Sequence, residues 1–292
     1  MRRYVYDVSG DARGNAFLLR GSENLLFDTG MAWCGRRMVE RIKEQLQGES
    51  LDAVFLTHSH YDHVSGVPFI REAWPNVKVM IAPHGKAVLE KESARKVMRK
   101  MNAAAAKMRG LEPVPYDERL LWADEAMEDG QREDLGEWHV TALEAPGHTR
   151  DCTSFVIGRD GYEETMMLCC ETAGVYMEGY GFLPCFLIGV EETLRSIEKM
   201  EQVGADILFG IHSGYLDREE IPDIWARCKE DTIRARERME AVLAQTEDVD
   251  RQIRSLAADY WPECIGVYQP YEAYAVNMGH MLASVEREMA GR

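Results

Sequence analysis

Three histidines and an aspartate lie within six residues of one another in the segment LTHSHYDH, as His58, His60, Asp62 and His63. Neutral imidazole is a ligand that suits zinc, iron and nickel, and a carboxylate oxygen adds a harder donor. The segment follows DAVFLT (52–57), an apolar run typical of a buried strand. In a loop that passes from an extended conformation into a turn, the side chains of residues i and i+2 can point to one metal position. The side chains of the two ligand residues that follow can then point to a second position. The pattern therefore indicates metal binding rather than histidines on a solvated loop.

Strands and helices that could position this segment are visible in the hydrophobic periodicity. Antiparallel strands are predicted at YVYDVS, NAFLLR and NLLFDTG, and further strands at VKVMIA (77–82), WHVTALE (138–144), TSFVIG (153–158), TMMLCC (165–170) and DILFGI (206–211). Helices are predicted over 35–47, 85–109 and 190–201, and several more from Glu219 onwards, interrupted around Trp261–Pro262. The Pro- and acid-rich residues 110–135 predict a loop. Two groups of strands, each followed by helices, favour two sheets covered by helices.

The histidine-rich segment resembles the T-H-x-H-x-D-H signature of the metallo-β-lactamase superfamily. The resemblance covers roughly residues 15–215, because LFDTG (26–30), APGHT (145–149) and GIHSG (210–214) match further landmarks in the family's order. It implies an α/β fold, an αββα sandwich of two mixed β-sheets flanked by helices, with metals at one edge of the sheets. We predict a domain of this family over 1–218, with a helical insertion at about 85–135. Residues 219–292 are predicted to form a helical C-terminal extension packed on the same domain.

The resemblance also implies a ligand set for two ions. His58, His60 and His148 would hold the first, and Asp62, His63 and His212 would hold the second. Ligand sets of this size leave positions open for water and substrate. Asp28 would hydrogen-bond the ligand segment from behind and fix it. The alternative for Asp28 is a turn-forming aspartate before glycine.

One landmark departs from the family pattern. Where relatives place a bridging aspartate after a strand, this chain has Glu171, in the run CCETAG (169–174). Glu171 could bridge both ions, bind one ion only, or lie outside the site. We favour bridging, because a hard carboxylate oxygen still suits the position. Cys170 could supply a thiolate instead, but a buried cysteine beneath a strand end is the simpler interpretation.

Two other segments could face a substrate. Tyr176 and Tyr180, in VYMEGYGFLPCFLIGV (175–190), could donate a hydrogen bond to a developing oxyanion, and Tyr176 is the candidate we select. Aromatic packing of the loop is the alternative. The predicted 85–109 helix is basic, with Lys91, Arg95, Lys96, Arg99, Lys100, Lys107 and Arg109. It could cap the site and attract an acidic substrate, or form an ordinary solvated face, which we favour.

The acidic composition bears on partners. The chain has 34 basic and 50 acidic residues, a formal net charge of −16, which disfavours nucleic-acid binding. We expect a small-molecule substrate, no nucleic-acid or membrane partner, and self-association into a homo-oligomer as an open alternative. No apolar signal segment follows the N-terminal arginines, and seven cysteines without CxxC spacing indicate no disulfide framework. These features predict a cytoplasmic protein.

The function expected from these residues is that of a metal-dependent hydrolase. Its two divalent metal ions would be zinc, with iron or manganese as alternatives. A metal-bridging hydroxide would attack the carbonyl of a small ester, thioester, lactone or amide, with Asp62 orienting the water. Two other activities remain open on this fold. One is a diiron or mono-iron oxidoreductase, flavodiiron-like or persulfide dioxygenase-like, and the other is a phosphodiesterase. His60 argues against the flavodiiron case, where a glutamate is typical at that position.

Overall fold

The computed structural model describes the chain except for residues 11–14, 218, 220, 262–268 and 292. The chain forms two compact units. Unit 1 comprises Met1–Glu144, Thr153–Leu168 and Ala205–Ile207, and unit 2 comprises Ala145–Cys152, Cys169–Gly204 and Leu208–Arg292. The division at residue 218 that the sequence suggests stays a prediction.

The first sheet has six strands in sequence order. They are β1 (Val5–Asp7), β2 (Phe17–Leu19), β3 (Leu25–Phe27), β4 (Ala53–Phe55), β5 (Lys78–Ile81) and β6 (Glu125–Ala126). The pairs β1–β2 and β2–β3 are antiparallel, whereas β3 to β6 run parallel. Parallel strands need crossover connections, and helices supply them here. The sheet is therefore mixed.

The second sheet is also mixed. Its strands are β7 (Arg132–Leu135), β8 (Trp138–Glu144), β9 (Thr153–Arg159), β10 (Met166–Cys169), β13 (Ile207–Gly210) and β14 (Gly214–Tyr215), in the order β14-β13-β10-β9-β8-β7. The strands β7 to β10 pair antiparallel, as do β13 and β14. The Ile207 amide bonds to the Thr165 carbonyl, and the Ile211 amide bonds to the Cys169 carbonyl. The residue numbers increase in the same direction along both strands in these two hydrogen bonds, so β13 and β10 run parallel.

Helices of unit 1 cover one face of the first sheet. They are α1 (Gly35–Leu46), α2 (Tyr61–Val64), α3 (Val67–Ala73), α4 (Pro83–Leu89) and α5 (Glu92–Met108), with 3-10 turns at Arg2–Tyr4, Ala32–Cys34 and Glu118–Leu120. Met38 and Ile42 of α1 are fully buried and share one core cluster with Leu26 and Val54 of the sheet. Burial of a side chain of this size contributes about 1.5–3 kcal/mol.

The opposite face of the same sheet packs on the second sheet. Phe27 and Phe55, the neighbours of Leu26 and Val54 along β3 and β4, point to the other face because side chains alternate along a strand. Their rings lie 5.6 and 5.4 Å from the ring of Phe155 in β9. The predicted sandwich of two mixed sheets flanked by helices is confirmed.

Unit 2 is mainly helical. It contains the hairpin of β11 (Val175–Met177) and β12 (Gly181–Leu183), a 3-10 turn at Glu171–Ala173, and the helices α6 (Val190–Gln202), α7 (Ile224–Leu243), α8 (Val249–Tyr260) and α9 (Tyr271–Ala290). Its core joins Val190, Met239, Leu256 and Met278, one from each helix. Several C-terminal helices were expected, and α8 ends at Tyr260 as the sequence suggests. Pro262 lies outside the described residues.

Two predictions about residues 85–135 are wrong in detail. The predicted loop at 110–135 contains β6 and β7, short polar edge strands held by pairing with β5 and β8. Edge strands are commonly short and charged, so hydrophobic periodicity does not reveal them. The predicted single helix at 85–109 is divided into α4 and α5, because Lys91 adopts an extended conformation. Val97, an apolar residue of α5, is 60% exposed.

Within the described residues, no helix is long and apolar enough to cross a membrane.

Candidate metal centre

Asp28 fixes the ligand segment from the end of β3. It is fully buried and has a left-handed backbone, with φ of 53°, which is uncommon for a residue other than glycine. Its carboxylate accepts hydrogen bonds from the Thr57 amide, the Thr57 hydroxyl and Nδ1 of His63, each 2.7 Å long. The structure therefore places Asp28 in hydrogen-bond contact with Thr57 and His63, behind the ligand segment, as the resemblance implies.

The same hydrogen bonds orient the imidazoles. A His63 ring that donates from Nδ1 to Asp28 leaves Nε2 with its lone pair directed away, 3.5 Å from a carboxylate oxygen of Asp62. His58 has Nδ1 3.1 Å from the Thr57 hydroxyl, and its ring centroid lies 4.7 Å from that of His60 and 4.0 Å from that of His63. Metal-binding histidines commonly use the second ring nitrogen in this way, which sets their tautomer.

Asn15 supports the segment and was not identified from the sequence. Its amide nitrogen donates to the Asp62 carbonyl oxygen at 2.5 Å and lies 3.1 Å from His63 Nδ1. Asn15 is 3% exposed. The available signal was weak: an asparagine directly before the apolar strand residues Ala16 and Phe17, where a buried polar side chain needs a partner.

His148 follows Gly147, a position at which a larger residue would not fit. A Cβ at Gly147 would lie 2.5 Å from the Thr193 hydroxyl and 2.6 Å from the Thr172 methyl group. Thr172 accepts a hydrogen bond from the His148 amide. Nδ1 of His148 donates to the Cys185 carbonyl at 2.9 Å, which leaves Nε2 available. The turn thus presents one ring nitrogen of a buried histidine.

Glu171 lies beside histidines of both predicted metal positions. One carboxylate oxygen is 3.0 Å from His212 Nε2 and the other is 3.4 Å from His148 Nε2. Glu171 stands at the first position of the 3-10 turn that follows β10, and its side chain is 11% exposed. The structure therefore places Glu171 beside two predicted ligands, and its role as a bridging ligand stays a prediction.

Two groups of side chains could each hold a metal ion. One is His58, His60 and His148, and the other is Asp62, His63, Glu171 and His212; within each group the ligand atoms lie within 4.8 Å of one another. Imidazole nitrogens with carboxylate oxygens suit zinc, iron or manganese, so this donor set fits divalent metal ions. The members of these groups are the seven predicted ligands, and their binding of metal stays a prediction.

Two further candidates from the sequence are Tyr176 and Cys170. The Tyr176 ring packs on Phe182 at a centroid distance of 5.3 Å, and Tyr176 lines a cavity with Arg227 and Arg234 of α7. Its role as a donor to an oxyanion stays a prediction. Cys170 is buried with its thiol directed at the Ala145 carbonyl, 3.9 Å away, and it belongs to neither ligand group among the described residues. This agrees with a structural cysteine.

The family model described as "Metallo-beta-lactamase superfamily" matches residues 9–162, just over half of the chain. The fold and the ordered ligand motifs agree with that match. The chain belongs to the metallo-β-lactamase superfamily.

Curated relatives carry names of hydrolases. A Bacillus subtilis (strain 168) protein named "Probable metallo-hydrolase YqgX" is 28% identical over 149 residues, 51% of this chain and 62% of that protein. A hydroxyacylglutathione hydrolase of Stenotrophomonas maltophilia is 30% identical over 111 residues, 37% of this chain and 30% of that protein. An atrochrysone carboxyl ACP thioesterase of Aspergillus fumigatus is 23% identical over 246 residues, 83% of this chain and 62% of that protein. The matched parts span less than two thirds of these relatives.

Solved structures share the fold. The archaeal metallo-β-lactamase superfamily protein ST1585 from Sulfolobus tokodaii aligns with a TM-score of 0.59 at 16% identity, over 93% of this chain and 95% of that one. A metallo-β-lactamase family protein from Thermus thermophilus gives the same TM-score of 0.59 at 18% identity, over 94% of this chain and 88% of that one. The resemblance to both extends over nearly the whole chain.

Proposed function

We propose that this protein is a metal-dependent hydrolase with a two-ion site that cleaves the acyl bond of a small ester, thioester, lactone or amide. Hydrolysis breaks the bond between the acyl carbon and its oxygen, sulfur or nitrogen substituent. The hydroxyl of water joins the acyl carbon, and a proton goes to the leaving group. Divalent ions, when bound, lower the pKa of water and polarise a carbonyl oxygen.

The observation that carries this proposal is the position of Glu171. Its two oxygens face one histidine of each ligand group, His212 and His148. A carboxylate shared in this way offsets the charge of two nearby cations. This favours a pair of ions over a single ion, and a pair suits the stabilisation of both an attacking and a departing oxygen.

The chain's own residues supply orientation. Asp28 and the Cys185 carbonyl hold the rings of His63 and His148 by Nδ1, so each ring offers Nε2 in a fixed direction. Asp62 has a side chain that is 19% exposed, more than the buried His63 beside it. We assign Asp62 to hold the attacking water as well as the second ion. Fixed donors of this kind avoid reorganisation during the reaction.

Names of relatives support acyl chemistry. The hydroxyacylglutathione hydrolase and the ACP thioesterase are both named for hydrolysis of acyl compounds. We therefore place carbonyl hydrolysis before phosphodiester hydrolysis.

Metal content and a substrate panel test the proposal together. Protein purified without added metal is expected to contain about two transition-metal ions per chain, by elemental analysis. It should hydrolyse at least one of a set of chromogenic esters, thioesters and lactones, and lose that activity on chelation. Re-addition of zinc, iron or manganese separately identifies the metal, and an iron-specific recovery with oxygen consumption would favour the oxidoreductase. Protein without bound metal would contradict the proposal.

A further inference from the structure

A second cavity lies in unit 1, outside both ligand groups. Its volume is about 430 Å³, within the range of small-molecule sites. It is lined by the 3-10 turn Ala32–Cys34, by one side of α5, and by the segment Pro113–Tyr116. Three cationic side chains of α5 line it: Lys96, Arg99 and Lys100. None of the described residues that line it is acidic.

The cations could reorganise around an anion. Lys96 pairs with Glu92 at 2.7 Å, and Arg99 pairs with Glu118. The side chains of Lys96 and Arg99 are 59% and 58% exposed, and exposed ion pairs contribute little to stability. Exchange of such a carboxylate for that of a ligand therefore costs little. In a chain of net charge −16, a cationic cavity without acidic lining residues selects for negative ligands locally.

The rest of the lining is apolar and aromatic. Trp33, Val114 and Tyr116 face the cavity beside two prolines. The guanidinium of Arg109 lies 5.6 Å from the Trp33 ring centroid. Lysine ammonium groups at an apolar wall suit an organic anion, with a short hydrocarbon part against the rings. A bare inorganic anion would leave that wall without a partner.

Asn102 joins this cavity to the ligand segment. It lines the cavity, its side-chain amide donates to the Ser65 hydroxyl at 2.7 Å, and its oxygen accepts from the Ala32 amide at 2.8 Å. Ser65 follows His63 by two residues. The wall of the cavity is thus hydrogen-bonded to the element that carries Asp62 and His63.

We infer that this cavity binds the carboxylate end of the substrate, so that the preferred substrates are small acyl compounds bearing a second, negatively charged group. This inference rests on the proposed hydrolase function, because it names the substrate class of the same site. Lys100 is the principal cation of the three that line the cavity. Lys96 and Arg99 are each in an ion pair, and the described residues show no ion pair for Lys100.

A pair of matched esters tests the inference by kinetics. Mono-4-nitrophenyl glutarate carries a carboxylate, and 4-nitrophenyl butyrate has the same leaving group without that charge. We expect kcat/KM to favour the anionic ester, and we expect Lys100→Gln to lower this preference about three- to fivefold. Raising the salt concentration should reduce the wild-type preference.

Lys107→Gln is the matched control. It removes the same charge from the same helix, but Lys107 does not line the cavity. The preference should stay at the wild-type ratio in this variant and should return in Lys100→Arg. An equal loss in Lys107→Gln and Lys100→Gln would show that net charge alone sets the preference, and would overturn the assignment.

Direct binding separates the inference from the hydrolase proposal. Calorimetric titration of the protein as purified with 4-phenylbutyrate and with 4-phenylbutanamide should show tighter binding of the carboxylate, lost in Lys100→Gln. If no ester is hydrolysed but this binding is seen, the cavity assignment holds and the hydrolase proposal fails. If the neutral ester is hydrolysed but neither kinetics nor titration favours the anion, the hydrolase proposal holds and the inference is overturned.

Discussion

The two segments that carry metal ligands differ in how they are held. In unit 1, His58 and His63 are fully buried, and Asp28 and Thr57 hydrogen-bond to the rings or the backbone around them. In unit 2, the side chains of Glu171 and His212 are 11% and 20% exposed, and the hydrogen bond between them is 3.0 Å long. The first segment is fixed by residues that are not ligands. In the second, Glu171 and His212 contact each other directly, whereas His148 is held by Thr172 and the Cys185 carbonyl.

The two segments should therefore respond differently to substitution. A buried polar network is costly to disturb, because any donor left without a partner pays its full desolvation penalty. A partly exposed carboxylate can adjust its position and can be replaced by water. We therefore expect a substitution at the buried Asp28 to lower metal affinity more than a substitution at Glu171.

The largest effect is expected for Asp62→Asn. The amide keeps the size of the side chain but removes the charge that we assign to the second ion and to the attacking water. We expect kcat/KM to fall by about 10²–10⁴-fold, while circular dichroism shows an intact fold. Asp250→Asn, on the exposed first turn of α8, is the control and should keep full activity. Near-normal turnover with two ions bound would rule out the proposed role of Asp62.

Asp28→Asn tests the support behind the ligands. The amide can accept only part of the three hydrogen bonds, so a buried donor at Thr57 or His63 loses its partner. We expect metal affinity to fall about 10–100-fold and stability to fall by about 2–3 kcal/mol. Metal competition with a chromophoric chelator and thermal unfolding measure these quantities.

Asp52→Asn is the control for that variant. Asp52 accepts a hydrogen bond from the Asn24 amide at 2.8 Å, at the same sheet but away from the ligands. It should lower stability without changing metal affinity. Equal metal affinities in Asp28→Asn and wild type would mean that the segment is held without the carboxylate.

Glu171 should tolerate change better. Glu171→Gln removes the negative charge, and we expect about a tenfold loss of affinity, chiefly for the second ion. Glu171→Asp retains the charge but withdraws the carboxylate by about 1.5 Å, one carbon–carbon bond. We expect its affinity to lie between those of the wild type and Glu171→Gln. Two ions bound as tightly in Glu171→Gln as in wild type would show that the residue is not a ligand.

The smallest effect concerns an exposed counterpart of the buried His63–Asp28 contact. His139 lies 2.9 Å from Asp160 and 2.6 Å from Asp134, and these hydrogen bonds raise its pKa above the ordinary value, while nearby Arg132 opposes the shift. A raised pKa stabilises the fold below the unfolded-state pKa of about 6.5, and the contribution disappears as pH rises through the folded-state pKa.

His139→Gln should therefore lower the unfolding midpoint at pH 6 by about 2 °C or less, and the difference should shrink towards pH 9. Thermal unfolding across this pH range measures it. A difference that grows with pH would show that the two aspartates do not favour the protonated ring.

Much of the fold could be predicted from the sequence because many strands have a local hydrophobic pattern. The alternation in WHVTALE (138–144) and the apolar run DAVFLT (52–57) predicted strands that the structure contains. The candidate ligands could be identified because few residue types bind metals, and several of them occur here within a short segment. The strands β6 and β7 were missed, since their pairing partners and not their own residues make them strands. Asn15 was missed for a related reason: its partners, Asp62 and His63, are adjacent only after folding.

The left-handed backbone at Asp28 has a consequence for engineering this protein. A residue other than glycine in that conformation costs about 1–2 kcal/mol. Glycine at position 28 would remove this cost, but it would also remove the carboxylate and leave the buried donors of Thr57 and His63 without a partner, which costs more. Relaxing the backbone at this position would therefore destabilise the fold and release the His63 ring that depends on the carboxylate. Position 28 should be held constant in any stabilisation campaign that aims to keep the metals.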